Sequence, residues 1–372
     1  MSATAGTVEH AAAKGATAGS HAHSAPRLFP AVPEVGCVSA PAAAPTTPSG
    51  GPDPHCLDLG NVIALEHVNL EVPDLEVARL FYAEGLGLTA DPGTTGQQRG
   101  GAHVVWYNCG RQQFHIARGP APQRLPPGSV IGLVLPDVAG VAQRLEAVKQ
   151  TLGDVSITYA RGDTLEAVDP YGNTFSVHTS LPYFPGRAGV AYVQLPCFKG
   201  TAAAIASFYA QRMGARARVS EAGGSSGRST TGGTMRAEVW LGPGSKLVFV
   251  EQPQLGAPTE EAVAALFDGW HVAIYVADFS RTYEAVHHPG RPPFNEHPYR
   301  DHYHSLSDAI HNRQFRFQDI TAPLEKLPEG AEAYGGPAYG NEALVYRISH
   351  EVRALAHPLY GRPLYNREGG FA

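Results

Sequence analysis

The chain has 372 residues, of which 43% are hydrophobic and 17% charged, and its formal net charge at pH 7 is −6. This composition describes a globular protein with enough apolar residues for two cores, and the negative charge argues against nucleic acid and anionic membranes as partners. No apolar stretch approaches the roughly 18 residues of a membrane-spanning helix, which argues against a membrane protein. The four cysteines are scattered without a Cys-x-x-Cys pair, so we expect a reducing compartment such as the cytoplasm.

The first segment, residues 1–60, is rich in Ala, Gly, Pro, Ser and Thr and nearly lacks aliphatic clusters. A segment of this kind cannot offset the entropy lost on ordering, so we predict a disordered tail. Its low content of acidic residues leaves organelle targeting as the alternative, although Arg27 is its only arginine.

A unit recurs four times after this tail, each copy opening with a strand that runs into a turn and a helix. A period of roughly 60 to 80 residues is too long for a solenoid, so each copy is predicted to be a supersecondary module. The four opening strands are His67–Val72, Ile131–Leu135, Ala191–Leu195 and His271–Val276, and the turns after them begin Pro73-Asp74, Pro136-Asp137, Pro196-Cys197 and Ala277-Asp278.

Helical spacing of apolar residues follows each turn. The spacing predicts helices over 75–84, 138–149, 200–209 and 280–286, and Asp74 is positioned to cap the first of them. The predicted strands that complete the modules end near Ala117, Thr179, Glu251 and Ser349. We therefore predict a first domain over 61–182, a linker at 183–187, a second domain over 188–350 with a histidine-rich insertion at 287–312, and a C-terminal tail over 351–372.

Two motifs carry a family resemblance. One is His67-Val-Asn-Leu-Glu-Val-Pro-Asp-Leu75 with Phe81-Tyr-Ala-Glu-Gly-Leu-Gly-Leu88, and the other is Asp169-Pro-Tyr-Gly-Asn-Thr-Phe-Ser-Val177. The chain between about Val62 and His350 resembles the vicinal oxygen chelate superfamily, which includes glyoxalase I, extradiol dioxygenases and the bleomycin- and fosfomycin-resistance proteins. The resemblance implies an α+β fold of four βαβββ modules paired into two tandem glyoxalase-like domains.

The resemblance also implies a divalent metal in a half-open cup, held by residues from the first and last strands of two paired modules. With consecutive modules paired, the first cup has His67 and His115 at ligand positions, and Val130 and Ser176 at the other two. Strand alternation puts Glu71 and His178 on the same predicted face, so His178 is a candidate third ligand and Glu71 a candidate ligand or catalytic base. In the second cup the matching positions are Val190, His271, Val248 and either Arg347 or Ser349.

Two functional hypotheses of different classes follow, beside a third possibility of a degenerate, mainly structural member in which the duplication serves partner binding. In the first, one divalent cation (Zn, Fe, Mn or Ni) serves an enzyme of the lyase, isomerase or dioxygenase type acting on a small oxygenated molecule. In the second, the protein sequesters a small molecule without a metal, and the two histidines are hydrogen-bonded cup residues. The residues predicted to contact the small molecule are Asn69, Trp106, Tyr107, Ser176 and Tyr275, and the metal-free cup would also use Tyr192 for stacking.

The insertion at 287–312 has irregularly spaced histidines, and we interpret it as a solvated loop rather than a metal-binding tract. The C-terminal tail is rich in Tyr, Leu and Arg. We expect it to pack back on the body, across the mouth of a cup.

Overall fold

The structure is a computed structural model that describes residues 58–93, 103–152, 156–159, 164–221, 234–287, 303, 305–327 and 340–365. Residues 1–57 of the predicted disordered tail and most of the histidine-rich insertion lie outside these residues. None of the described helices combines the length and the apolar character needed to cross a membrane.

Strands and helices alternate along the chain in a repeating order. The strands are β1 (Val62–Val72), β2 (Thr89–Ala90), β3 (Val104–Cys109), β4 (Gln112–Arg118), β5 (Val130–Val134), β6 (Ser156–Tyr159), β7 (Thr164–Val168), β8 (Thr174–His178), β9 (Gly189–Phe198), β10 (Ala217–Glu221), β11 (Met235–Trp240), β12 (Lys246–Gln252), β13 (His271–Val276), β14 (Gln314–Pro323) and β15 (Glu342–Ala354). The α-helices are α1 (Leu75–Arg79), α2 (Val138–Leu152), α3 (Ala202–Arg212), α4 (Glu260–Ala265), α5 (Phe279–Val286) and α6 (Leu306–Asn312).

The predicted fold class is confirmed. Modules one to three each contain a strand, a helix and three further strands, over 62–118, 130–178 and 189–252. The fourth module runs from β13 through α5 and α6 to β14 and β15. The fold is therefore α+β, built from four copies of one unit.

The first predicted helix forms with one departure from regular α geometry. Asp74 caps it by accepting hydrogen bonds from the backbone N–H groups of Glu76 and Val77. The helix continues over Leu80–Gly85 as a π-helix, in which the N–H of Leu86 donates to the carbonyl of Phe81. The same segment therefore begins at the predicted capping residue and reaches one residue beyond the predicted end.

The strands form two mixed sheets whose composition differs from the prediction. The first sheet has the order β14-β15-β13-β1-β4-β3-β2, and the second has the order β10-β11-β12-β9-β5-β8-β7-β6. β1 pairs antiparallel with β13, and β5 pairs antiparallel with β9. The expected cup between consecutive modules does not form through strand pairing, because the first module shares a sheet with the fourth and the second with the third.

Consecutive modules pack through their apolar sides instead. Phe175 of module two contacts the rings of Phe81, Tyr82 and Phe114 of module one, at centroid distances of 5.3, 5.9 and 6.0 Å. In modules three and four, Phe249 contacts Tyr346 at 5.2 Å in the same way. Each tandem pair thus shares a core, while each sheet joins one module from either pair. The boundaries 61–182 and 188–350 stay predictions.

The last strand is longer than predicted. β15 extends to Ala354, so residues 351–354 belong to the sheet and not to a tail. Beyond it, residues 355–365 fold back on the first sheet: the amide of Asn108 donates to the carbonyl of Leu364, and Tyr360 packs on Tyr275 with centroids 4.8 Å apart. The interpretation of 287–312 as a loop was wrong for its end, because Ser305 caps helix α6.

Candidate metal centre

A group of three buried side chains, His67, His271 and Glu351, forms on the polar face of the first sheet. Each offers one ligand atom, and these atoms all lie within 4.8 Å of one another. We call these residues, together with His115, the histidine site. It draws two side chains from module one and two from module four.

The opening strands supply the two facing imidazoles. β1 and β13 run antiparallel with Asn69 opposite His271 and His67 opposite Ala273. This diagonal arrangement places the Nε2 atoms of His67 and His271 3.3 Å apart. The contact arises because both histidines occupy the same position of the repeated opening strand and point to the same side of the sheet.

Glu351 is supplied by the closing strand of the fourth module. β15 runs parallel to β13 with Glu351 opposite Ala273, just as His115 on β4 lies opposite Asn69 on β1. Glu351 is therefore the fourth-module equivalent of His115. Its Oε2 atom lies 3.4 Å from Nε2 of His271.

The spacing of these atoms agrees with what a small divalent cation requires. Two ligand atoms that each lie about 2.0–2.1 Å from a tetrahedral zinc ion are about 3.3–3.4 Å apart. Two of the three separations, 3.3 Å between His67 and His271 and 3.4 Å between His271 and Glu351, match that edge length, and the third lies within 4.8 Å. The donor set of two imidazoles and one carboxylate is also one that catalytic metal sites use.

Glu66 orients His67. A shift in register between Leu65 and His67 turns the Glu66 carboxylate toward the site, where its Oε2 lies 3.0 Å from Nδ1 of His67. The carboxylate accepts a hydrogen bond from the Nδ1–H group, which leaves the Nε2 lone pair directed at His271. Tyr275 donates to the other Glu66 oxygen at 2.8 Å. Such outer carboxylates fix ring orientation and raise the basicity of a ligating histidine.

Two arginines set the charge of the site. Arg353 pairs with both Glu66 and Glu351, and Arg316 donates to Glu351 at 2.7 Å. Burial would raise the pKa of Glu351, but these guanidinium groups outweigh burial and hold that pKa well below its ordinary value. Burial lowers the pKa of His67 and of His271, so both rings are neutral near pH 7 and available as ligands.

His115 lies beside the group of three but turns its Nε2 away. Its ring stacks on His67 at a centroid distance of 3.6 Å and on Trp106 at 4.3 Å. Its Nε2 lies 3.1 Å from Oε1 of Gln113, which also accepts from Arg362 at 3.1 Å. His115 therefore carries its proton on Nε2 and is held through Gln113 by the C-terminal segment.

Other residues predicted for the site divide into two groups. Asn69 and Glu71 alternate with His67 along β1 and share its face, and both are half-buried. Trp106 contacts the histidine site directly by stacking on His115, and Tyr275 reaches it through its hydrogen bond to Glu66. These four residues remain predicted contacts of a bound molecule.

Three predicted residues lie elsewhere. Tyr107 points to the apolar side of the sheet, where its ring stacks on Tyr82 at 5.5 Å, so the prediction that it faces the site was wrong. Ser176 and His178 lie on β8 in the second sheet, where the Nε2 of His178 is 3.1 Å from both the Ser176 and Tyr192 hydroxyls. The structure does not bring His178 to His67, because β8 and β1 belong to different sheets.

Strand pairing also corrects two predicted ligand positions. In the fourth module the closing position is Glu351 and not Arg347 or Ser349, and Arg347 pairs with Asp319 instead. In the third module it is Lys246 and not Val248, because Lys246 lies opposite Tyr192 on β9. Sequence reasoning missed Glu351 because it ended the last strand near Ser349, whereas β15 continues to Ala354. The only sequence signal was the alternation of polar residues beyond Ser349.

Comparisons with known proteins give structural similarity only. No protein-family model and no curated protein sequence matches the chain. A glyoxalase I variant from Zea mays is similar over 79% of this chain and 94% of its own, with 13% identity and a TM-score of 0.47. The fosfomycin resistance protein FosX from Listeria monocytogenes is similar over 32% of this chain and 90% of its own, with 15% identity and a TM-score of 0.24.

The architecture of the chain itself is more informative. Three βαβββ modules and a fourth, in which the structure describes three strands, form the two sheets, and the candidate ligand positions lie on their first and last strands. The two motifs noted in the sequence fall at the expected places, since Asp74 caps the first helix and Asp169 closes the turn before β8. The chain has the fold of the vicinal oxygen chelate superfamily.

Proposed function

We propose that the histidine site binds one divalent cation through His67, His271 and Glu351, and that the cation in turn binds a small oxygenated molecule. The observation that carries this proposal is the convergence of the three ligand atoms within 4.8 Å, with His271 lying 3.3 Å from His67 and 3.4 Å from Glu351. His115 is the available fourth ligand, provided that its ring turns away from Gln113. A cation bound here would supply Lewis-acid polarisation of an oxygen of the small molecule.

The charge around the site restricts what that molecule is. Glu66 and Glu351 carry two negative charges, and Arg353 and Arg316 balance them. A bound dication would therefore add two uncompensated positive charges to a buried site, which is unfavourable unless an anionic group accompanies it. We infer that the small molecule brings at least one anionic oxygen to the cation, as a hydroxy or keto carboxylate does.

The chain's own residues supply the surroundings for such a molecule. Trp106 stacks on His115, the Tyr275 hydroxyl donates to Glu66, and Asn69 offers an amide on the same face of β1. Glu71 lies two residues further along this face and is only half-buried. It is the candidate proton acceptor that stands apart from the three ligands.

One observation favours a second candidate function, which is binding of a small molecule without a metal. Glu351 already accepts hydrogen bonds from both Arg316 and Arg353. A carboxylate satisfied in this way needs no cation, and the neutral histidines then serve as hydrogen-bonding groups of a pocket. This alternative predicts the same residues around the ligand but no metal affinity.

The metal content of the purified protein distinguishes the metal-binding function from the metal-free one. The full chain, purified without an affinity tag or chelator, is analysed by mass spectrometry for Zn, Fe, Mn and Ni, alongside His271→Ala and the matched control His178→Ala in the other sheet. We expect near-stoichiometric metal in the wild type and the control, and a loss in His271→Ala. A wild type that takes up none of the four ions after incubation would leave only the metal-free function.

A further inference from the structure

The histidine site is enclosed, although its side chains point away from the apolar side of the first sheet. The exposed fraction is 1% for His67, 5% for His115, 7% for His271 and 3% for Glu351. The sheet itself shields such residues from one side only, so chain that lies over the polar face must supply the rest of the cover. A molecule reaches a site this enclosed only when part of that cover moves.

The C-terminal segment, residues 355–365, crosses this polar face beside the site. Tyr360 packs on Tyr275 of β13 with ring centroids 4.8 Å apart. Further along, the carbonyl of Leu364 accepts a hydrogen bond from the amide of Asn108 on β3. Between β13 and β3 the sheet contains β1 and β4. The C-terminal segment therefore passes over the two strands that each carry one histidine of the site.

Arg362 fastens the C-terminal segment next to the site. Its guanidinium donates to the Asp91 carboxylate at 3.0 Å and to Oε1 of Gln113 at 3.1 Å. The same Gln113 oxygen lies 3.1 Å from Nε2 of His115. The guanidinium also lies 5.0 Å from the centroid of the Trp106 ring, which stacks on His115. One side chain of the segment thus contacts two of the neighbours that hold His115 in place.

The C-terminal segment buries little of itself against the sheet. None of its residues from Leu355 to Tyr365, all within the described chain, is fully buried, and Tyr360 is 42% exposed. The Nε atom of Arg362 is buried without a hydrogen-bond partner among the described residues, and an unsatisfied buried donor is unfavourable. Chain with so few buried apolar contacts opens at a lower free energy than the strands beneath it. We therefore expect this segment to detach while β15 stays in the sheet.

We propose that the C-terminal segment is a strap over the histidine site, which lifts to admit a cation and a small molecule and then closes over them. Arg362 is the residue that fastens it. What enters rests on the proposed function, whereas the opening is a property of the chain itself. Closure excludes water from the site, and interactions between charges are stronger there when water is absent. Closure also restores the contact of Arg362 with Gln113 and so returns His115 to one orientation.

Modification of histidines by diethylpyrocarbonate tests the opening without any metal. The reagent acylates a neutral imidazole that it can reach, and peptide mass spectrometry of the modified full chain gives a rate for each histidine. His115 reports on the C-terminal segment. His350, which is fully buried on the apolar side of the same sheet, reports on global unfolding. His311, which is exposed on α6, gives the rate for a histidine without cover.

We expect His115 to react about tenfold faster in Arg362→Met than in the wild type, because hydrogen bonds to a charged group are lost. Tyr360→Ala changes an exposed position and leaves no buried charge without its partner, so this variant is expected to fold even if Arg362→Met does not. It removes one aromatic contact, and we expect His115 to react about threefold faster in it.

Two controls separate opening of the segment from other effects. The matched control Arg281→Met removes an arginine from an exposed ion pair on α5, and His115 is expected to react in it as in the wild type. The His350 rate is expected to be the same in the wild type and in all three variants.

The rate of zinc release separates the opening from the proposed function. If the chain binds zinc, Arg362→Met is expected to release it to a chromogenic chelator about tenfold faster than the wild type does. Equal release rates would contradict the passage of a cation beneath the strap. If the chain binds no cation, the metal-binding function is wrong, while the modification rates still decide whether the segment opens.

Three modification results would overturn the proposal. If His115 reacts as fast as His311 in the wild type, the site is not covered. If His115 reacts at the same rate in the wild type, Tyr360→Ala and Arg362→Met, the C-terminal segment is not the cover that moves. If His115 and His350 accelerate together, the site opens by global unfolding and not by lifting of the segment.

Discussion

The Nε2 atoms of His67 and His271 lie 3.3 Å apart, although 204 positions separate the two residues in the chain. The contact exists because β1 and β13 are neighbours in the first sheet, so the first and last modules meet there. Neither tandem pair of modules contains the histidine site by itself. The site therefore depends on the pairing of strands from both halves of the chain.

Glu66 is expected to control the metal affinity of His67. In Glu66→Gln, the side chain keeps its shape but loses the charge that orients the His67 ring and pairs with Arg353. Loss of such an outer carboxylate weakens metal affinity by about 10- to 100-fold. Calorimetric titration with Zn²⁺ measures the effect, and Tyr275→Phe, which removes only a donor to the same carboxylate, is the control. An unchanged affinity in Glu66→Gln would contradict the orienting role.

Arg362 is expected to hold the C-terminal segment on the first sheet. Its guanidinium donates to Asp91, which is fully buried, at 3.0 Å, and it lies 5.0 Å from the Trp106 ring. Arg362→Met leaves the carboxylate with fewer donors, and we expect a loss of about 1–3 kcal/mol in the free energy of unfolding. Urea unfolding measures this loss.

The double variant Asp91→Asn with Arg362→Met provides the control. If the two residues act as a pair, the double variant loses less stability than the sum of the single variants. If the losses in the free energy of unfolding are strictly additive, the ion pair contributes nothing to stability. A chain that ends at Ala354 lacks the whole C-terminal segment and so tests the contribution of that segment to the free energy of unfolding. It leaves β15 intact, because Glu351 and Arg353 lie within that strand.

Phe175 is expected to hold modules one and two together. Its side chain is fully buried and contacts three rings of module one. Removal of a buried phenylalanine side chain typically costs about 3–5 kcal/mol, so Phe175→Ala is expected to lower the free energy of unfolding by that amount. Chemical denaturation gives the value. Phe184→Ala, at a half-buried position, is expected to cost much less, and equal losses would show that Phe175 has no special role.

Gly132 is expected to be needed for the position of Tyr192. A Cβ atom at residue 132 would lie 2.1 Å from Cε1 of the Tyr192 ring, which real structures do not tolerate. Gly132→Ala should therefore cost about 1–3 kcal/mol through overpacking. Combining it with Tyr192→Ala removes the clash, so the second substitution should cost less in the Gly132→Ala background than in the wild type. If the two substitutions lower the stability against thermal unfolding independently of each other, a steric conflict with Tyr192 is not the cause of the loss in Gly132→Ala.

Predictions from the sequence were confirmed where the structure depends on neighbouring residues, as in strand alternation and helix capping. Period-two alternation along β1 placed His67, Asn69 and Glu71 on one face, and Asp74 was identified as a helix cap. The prediction failed at Tyr107, because the neighbouring aromatics Trp106 and Tyr107 look alike in the sequence. Alternation sends only Trp106 to the histidine site and buries Tyr107 against Tyr82.

By itself, the sequence determined the four modules, their helices and which strands carry candidate ligands, since these depend on contacts between residues close in the chain. Only the tertiary structure decided that β1 pairs with β13 and that Glu351 lies level with Ala273. Four similar opening strands have similar apolar patterns, so pattern alone does not select which two become neighbours. The choice depends on how the cores of both tandem pairs pack, and that packing brought His67, His271 and Glu351 together while it left His178 in the other sheet.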